Sequence, residues 1–102
     1  MIVSFDSELW TWDARRAETW VFVSLPPGAS EEIRELTAGR RRGFGSLRVR
    51  ATLGATTWTT SVFPDRTRGV YVLPLKRAVR TAESLDTGAA ITVAVTVEFI
   101  DL

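Results

Sequence analysis

The chain contains no cysteine and no histidine among its 102 residues. Without thiols it forms no disulfide, offers no thiolate nucleophile and builds no cysteine-based zinc or iron–sulfur site. Without imidazole it lacks the commonest metal ligand and the usual general base at neutral pH. We therefore expect a protein that is not an enzyme and that uses no metal and no cofactor.

A strong charge of one sign and long hydrophobic runs are also missing. Thirteen basic residues face 12 acidic ones, for a formal net charge of +1, so the molecule as a whole does not attract nucleic acid or an anionic membrane. The longest apolar stretch, near 90–100, is shorter than the roughly 20 residues of a membrane helix. The amino terminus lacks the basic and apolar regions of a secretory signal. We expect a cytoplasmic protein with no membrane association.

Along most of the chain, apolar and polar residues alternate in the way that is typical of half-buried strands. It predicts strands at about 3–12, 20–25, 45–53, 56–63, 70–73 and 91–99, and two short helices that each follow a proline. Ser30 is predicted as the N-cap of the first helix, and Pro74 as the first residue of the second. Trp20 lies inside an apolar run, which predicts a core position for it.

The two halves of the chain resemble each other. The run VFVSLP at 21–26 matches VYVLP at 70–74, and each run is followed by a helix pattern, a glycine and a strand pattern. Two copies, roughly 3–53 and 54–102, are too few for a solenoid, whereas closure into a barrel leaves no open sheet edge. We predict a single domain over 1–102: a mainly β, closed barrel of about six or seven strands with two short helices, built from two pseudo-symmetric halves.

Several dispersed motifs resemble a known family. They are WVFVSLP at 20–26, WTTSVFP at 58–64, GVYVLPLK at 69–76 and LDTG at 85–88. With these motifs the chain resembles the small bacterial β-barrel domain of unknown function that, in other proteins, precedes a YdeI/OmpD-associated segment implicated in bacteriocin protection. That resemblance implies a barrel with two helices and implies no reaction. A weaker resemblance, carried by 72–74 and the basic helix that follows, is to AbrB/MazE-type swapped-hairpin DNA-binding domains.

The first candidate site is cationic. Lys76, Arg77 and Arg80 lie in the first turns of the second predicted helix, where an anion would balance their charge. Trp10, Trp12 and Trp58 fall near strand ends, where one or more of them could line the mouth of a barrel, and Ser61 is expected near Lys76. The sequence therefore predicts an anion- or ligand-binding site made of Lys76, Arg77, Arg80, Trp58 and Ser61. The same cations also fit the solvent-facing side of an amphipathic helix.

The second candidate is a nucleic-acid surface formed by Arg40, Arg41, Arg42, Arg48 and Arg50. The first three lie in a glycine-rich loop, and the last two share the outward face of one predicted strand. Together with an exposed tryptophan they could form a stacking platform for single-stranded nucleic acid. The near-neutral total charge argues against this reading, and arginine is also common on surface strands, where it provides solubility.

These observations favour a noncatalytic binding or interaction module. We expect its partner to be a small anion or another protein, with the nucleic-acid surface as the alternative. The spacing of the residues does not distinguish a monomer from a homodimer.

Overall fold

The structure, a computed structural model, describes residues 1–12, 20–38, 45–85 and 91–100. These residues form seven strands and two helices. The strands are β1 (Ile2–Glu8), β2 (Trp10–Trp12), β3 (Trp20–Ser24), β4 (Leu47–Leu53), β5 (Thr56–Asp65), β6 (Val70–Pro74) and β7 (Thr92–Phe99), and the helices are α1 (Pro27–Thr37) and α2 (Arg77–Ala82). The predicted mainly β chain with two short helices is confirmed.

The strands form an antiparallel sheet in the order β1-β7-β4-β5-β6-β3-β2. The sheet curves into a half-barrel that stays open, so the predicted closed barrel is wrong. The two edge strands, β1 and β2, are successive parts of one segment joined at Leu9, and each pairs on one side only, β1 with β7 and β2 with β3. Beyond this β2–β3 ladder, where the junction of β1 and β2 passes the end of β3, side chains make the contacts: Ser24 N donates to Ser7 Oγ at 3.2 Å, and Trp10 Nε1 donates to Ser24 Oγ at 2.9 Å. We call this junction the seam.

Strand β5 occupies the equivalent position on the other side of the sheet. It is ten residues long, and it pairs with β4 through its first part and with β6 through its last part. The segment formed by β1 and β2 pairs in the same way with β7 and β3, but it is interrupted at Leu9, which still donates its N–H to Ile91 O. The two halves of the fold therefore share an order of elements and a pairing scheme. The sequence repeat itself stays a prediction.

One face of the sheet carries the hydrophobic core, because successive side chains of a strand point to opposite faces. The core side chains of the strands include Phe5, Val21, Val23, Val49, Ala51, Leu53, Val62, Tyr71, Leu73, Val93, Val95, Val97 and Phe99. Trp20 and Phe22 alternate with Val21 and Val23 and therefore point to the outer face. Trp20 is 48% exposed, so its predicted core position is wrong.

Helix α1 packs against the core through the buried Ile33. It begins at Pro27, with Pro26 as the N-cap in an extended conformation, since proline suits a first helical position where no N–H partner is needed. Ser30 therefore lies inside the helix, and its prediction as the N-cap is wrong. Its buried Oγ instead accepts a hydrogen bond from Tyr71 N at 3.0 Å, which ties α1 to β6.

Helix α2 has six residues and begins later than predicted. Pro74 is the last residue of β6 rather than the first of the helix, and the N-cap is Lys76, with φ −65° and ψ 157°. Val79 is the buried residue of α2, and the predicted helix stop at Gly88 lies outside the described residues. Neither helix in the described ranges has the length and apolar character needed to cross a membrane.

The end of α2 is fixed to the turn between β4 and β5. Glu83, the C-cap of α2, accepts a hydrogen bond at Oε2 from Thr56 Oγ1 at 2.6 Å. Its carboxylate lies so close to Gly54 that a Cβ at that position would overlap Glu83 Oε1. Gly54 also has a φ of +60°, which disfavours any residue with a side chain. The backbone conformation thus favours glycine at this turn, and any side chain there would also have to displace the Glu83 carboxylate.

We predict that Gly54→Ala lowers the free energy of unfolding more than Gly69→Ala does. Gly69 has a similar φ of +71° but open space around it, so its substitution adds only backbone strain of about 1 to 2 kcal/mol. At Gly54 the alanine also displaces Glu83 and removes a hydrogen bond, for about 1 kcal/mol more. Urea unfolding measures both values. In a Glu83→Ala background the two glycine substitutions should cost the same; equal costs in the wild-type background would contradict the contact.

Candidate functional site

The outer face of the sheet carries a cluster of aromatic rings on β2 and β3. Trp10 lies opposite Phe22 and Trp12 lies opposite Trp20 in the antiparallel register, so all four side chains share one face. The rings of Trp10 and Phe22 stack at a centroid distance of 4.7 Å and an interplanar angle of 23°, and those of Trp20 and Phe22 at 6.4 Å and 15°. Three of the rings are stacked in a row, and Trp12 lies on the same face beside them, so the four form an aromatic platform at the edge of the sheet.

This platform is one wall of a cavity of about 750 Å³, which we call the aromatic groove. Its floor crosses β6 and β5, and its far wall is formed by hydroxyl side chains and arginines. The lining residues are Trp10, Trp12, Trp20, Phe22, Arg48, Thr59, Thr60, Ser61, Phe63, Pro64, Asp65, Arg66, Thr67, Arg68, Val72 and Pro74. The volume lies within the range of small-molecule sites, roughly 300 to 1,000 Å³.

Arg68 connects the turn after β5 to the aromatic platform. Its guanidinium carbon lies 3.6 Å from the centroid of the Trp10 ring, a cation–π contact, and its Nη1 donates to Asp65 Oδ2 at 3.0 Å. Asp65 Oδ1 also accepts hydrogen bonds from Thr67 N at 3.0 Å and Arg68 N at 3.2 Å. A flat guanidinium is thereby held over an indole ring inside the groove.

The same contacts change the acidity of Asp65. Burial alone would raise the pKa of this carboxyl, but the hydrogen bonds and positive charge of Arg68, with a further hydrogen bond from Thr67 N, hold the pKa below its ordinary value. The carboxylate form is therefore the one that the folded structure favours.

A second cavity of about 360 Å³, which we call the cationic cavity, adjoins the aromatic groove. It is lined by Trp20, Val21, Pro74, Leu75, Lys76, Arg77 and Arg80. Trp20 and Pro74 line both cavities, so the mainly aromatic space and the cationic one meet at this indole.

Charge is concentrated around these two cavities. Among the residues that the structure describes, six of the eight basic ones line the cavities, namely Arg48, Arg66, Arg68, Lys76, Arg77 and Arg80, against one of the eight acidic ones, Asp65. Within the described ranges Asp65 is ion-paired with Arg68, and the other five cations form no ion pair with a described carboxylate. A nearly neutral protein thus presents one locally positive face, which favours an anionic ligand there.

The structure brings together most of the first predicted site. Lys76, Arg77 and Arg80 line the cationic cavity, and Ser61 lines the adjoining groove. Trp58 is not part of this arrangement, because it occupies the alternate position of β5 and packs against the hydrophobic core.

The structure does not bring the described arginines of the predicted nucleic-acid surface into one cavity. Arg48 lines the aromatic groove, whereas Arg50, which is also exposed, pairs with Glu98 at 2.8 Å and lines neither cavity. Arg40, Arg41 and Arg42 lie outside the described residues.

Several groove residues were not predicted from the sequence, most importantly Phe22, Phe63 and the turn residues Arg66 and Arg68. One signal could have found Phe22 and Trp20: they alternate with Val21 and Val23 in a strand, so the two aromatic side chains share the face opposite the two valines. Arg66 and Arg68 carry no comparable signal, since a turn of charged residues is common on any surface.

The fold and its open face define a small, mainly β domain with an aromatic and cationic surface on the outside of a half-barrel. The chain belongs to the family described as Domain of unknown function (DUF1905), whose model matches residues 5–95. No curated protein matches the chain. Within the described residues, no group of three or more carboxylates is placed to hold a metal ion.

We predict that Asp65 stabilises the fold at neutral pH and loses this effect in acid. Because the pKa of the folded carboxyl is lowered, its contribution is complete above the ordinary carboxyl range near pH 4 and disappears as the pH falls through the lower folded value. Urea unfolding of the wild type and Asp65→Asn should show a difference of about 0.5 kcal/mol at pH 7 that shrinks below about pH 4. Arg68→Gln should reduce this pH dependence; a difference that grows in acid would contradict the assignment.

Proposed function

We propose that this domain is a noncatalytic binding module that holds an anionic ligand in the cationic cavity. The proposal rests on one observation: Lys76, Arg77 and Arg80 line the same cavity, beside a half-exposed tryptophan. Three cations on one short segment would repel one another in an empty site, and a bound anion would relieve that repulsion.

The local structure explains why these three cations lie close together. Lys76 is the extended residue before α2, and Arg77 is the first helical residue. Arg80 lies one turn further on, and its Nε donates to Leu75 O at 3.2 Å, which restrains the guanidinium. A helix of six residues contributes little through its dipole, so the attraction comes mainly from the three side-chain charges. Arginine is well suited to this role because its planar donors match a carboxylate or phosphate in two-point contacts.

A second candidate function, binding of single-stranded nucleic acid, is favoured by the aromatic groove. Base stacking on exposed aromatic rings beside arginines is a common way to bind single strands without reading their sequence. Arg48 is the part of the predicted basic face that lies in this groove. Each phosphate neutralised would release counterions, so such binding would weaken strongly as salt is raised.

Other expectations from the sequence accompany this proposal. The bacterial source, the cytoplasmic location, the link to a YdeI/OmpD-associated segment and the choice between a monomer and a homodimer stay predictions.

We predict that Arg77→Gln weakens the binding of inorganic phosphate while Arg50→Gln does not. Both substitutions remove one exposed positive charge from the same protein, but Arg50 lines neither cavity and is paired with Glu98. Loss of one exposed charge contact raises the dissociation constant about two- to fivefold. A titration followed by amide NMR at low ionic strength measures the constants and locates the shifts. Equal effects of the two variants, or shifts confined to residues away from 74–80, would overturn the proposed anion site.

A further inference from the structure

We infer that the ligand is a nucleotide unit, with its base stacked on Trp20 and Trp12 and its phosphate in the cationic cavity. This inference rests on the proposed anion-binding function and adds the chemical class of the ligand. Its central observation is that the aromatic groove and the cationic cavity are neighbours that share Trp20 and Pro74.

Trp12 and Trp20 are the most exposed rings of the groove. Trp12 is 57% exposed, and Trp20, directly opposite in the register, is nearly half exposed. Trp10 and Phe22 are more closely engaged, because they stack at 4.7 Å and Arg68 lies over Trp10, whereas Trp20 approaches Phe22 at 6.4 Å. Single exposed apolar residues are common on protein surfaces, whereas neighbouring ones that form a patch mark a binding site more often. A flat group would therefore find its free stacking surface at Trp12 and Trp20.

The chemistry of the walls selects among flat ligands. Exposed indole faces also attract cations, but six basic side chains around the two cavities would repel a cationic ligand. Arg68 shows that a planar group fits against an indole in this groove, with its guanidinium carbon 3.6 Å from the Trp10 centroid. The ligand that satisfies both walls is planar at one end and anionic at the other.

The relative placement of the two walls matches the build of a nucleotide. In a nucleotide one sugar separates the base from the phosphate. Trp20 is itself part of the lining of the cavity that holds Lys76, Arg77 and Arg80, so a base on this ring has its phosphate directed at those cations. The hydroxyl side chains Thr59 and Ser61 on the groove wall can bond to a sugar or to any base edge, so we expect little preference among bases.

A second copy of this chain is a poorer occupant of the same surface. A two-fold dimer would place the same patch on both partners, so that six cations and one acid of one copy would face the identical set of the other. Repulsion between like charges opposes that arrangement. A nucleotide instead brings the opposite charge and an aromatic surface together.

The test compares ligands that carry only the anion with a ligand that carries both the anion and the planar base. Inorganic phosphate and ribose 5-phosphate carry only the anion, and adenosine monophosphate carries both parts. In NMR titrations we expect all three to shift residues near Lys76, Arg77 and Arg80, and only adenosine monophosphate to shift the indole N–H signals of Trp12 and Trp20. We also expect it to bind about five- to a hundredfold more tightly than ribose 5-phosphate.

Two variants separate stacking from charge. Trp20→Leu should remove most of the advantage of adenosine monophosphate over ribose 5-phosphate, and Trp20→Phe, which keeps a ring, should retain much of it. Neither substitution should change the affinity for ribose 5-phosphate by more than about twofold, because the cations remain. Trp20 is half exposed, so both variants should fold, as thermal unfolding can verify.

A further arm identifies the source of the nucleotide. Tighter binding of an eight-residue oligothymidylate than of thymidine monophosphate, with steep salt dependence, would place the nucleotide in a single strand; equal binding per site would indicate a free nucleotide. Equal affinities for adenosine monophosphate and ribose 5-phosphate, with phosphate still bound at 76–80, would overturn this inference and leave the anion site intact. A concentration-dependent dimer that is lost in Trp20→Leu would also overturn it, because the ring would then be an interface.

Discussion

The alternation of side chains along the strands is the constraint on which the rest of this structure depends. A single layer of sheet has one face for the core and one face for solvent. In β3 and β6 the core face is filled by aliphatic side chains and Tyr71, whereas Trp20, Phe22 and Pro74 are left on the other face. The same period of two that builds the core therefore also assembles the aromatic groove. The fold and the candidate site therefore both follow from the same alternation of side chains.

The interruption at Leu9 decides how far the sheet can close. Strand β5 passes from one neighbour to the next without a break, whereas its counterpart is divided into β1 and β2. Closure of a barrel requires a continuous ladder around its circumference, and at the seam two side-chain hydrogen bonds through Ser24 take the place of ladder bonds. The pattern of apolar residues predicts the strands but not this gap, because hydrophobic periodicity is the same in an open and a closed sheet.

The cationic half of the site was predictable and the aromatic half was largely not. Lys76, Arg77 and Arg80 are close in sequence and lie on one short segment, so local spacing was enough to group them. Trp10 and Phe22 meet through the pairing of β2 with β3, and Phe63 and Arg68 join them because β3 also pairs with β6, which lies far away in the chain and brings β5 with it. Trp58 illustrates the same limit: it is one residue away from the outward Thr59, and a shift of one position in a strand moves a side chain to the opposite face.

Trp10 takes part in both the seam and the aromatic groove. Its indole N–H forms part of the seam with Ser24, and its ring carries Arg68 and Phe22 inside the groove. Whatever restrains this ring from the groove side must therefore also make the edge strand β2 harder to detach, and a tighter edge must in turn favour occupancy of the groove, since such coupling is reciprocal. A binding surface on the outside of the sheet can in this way stabilise the pairing of an edge strand.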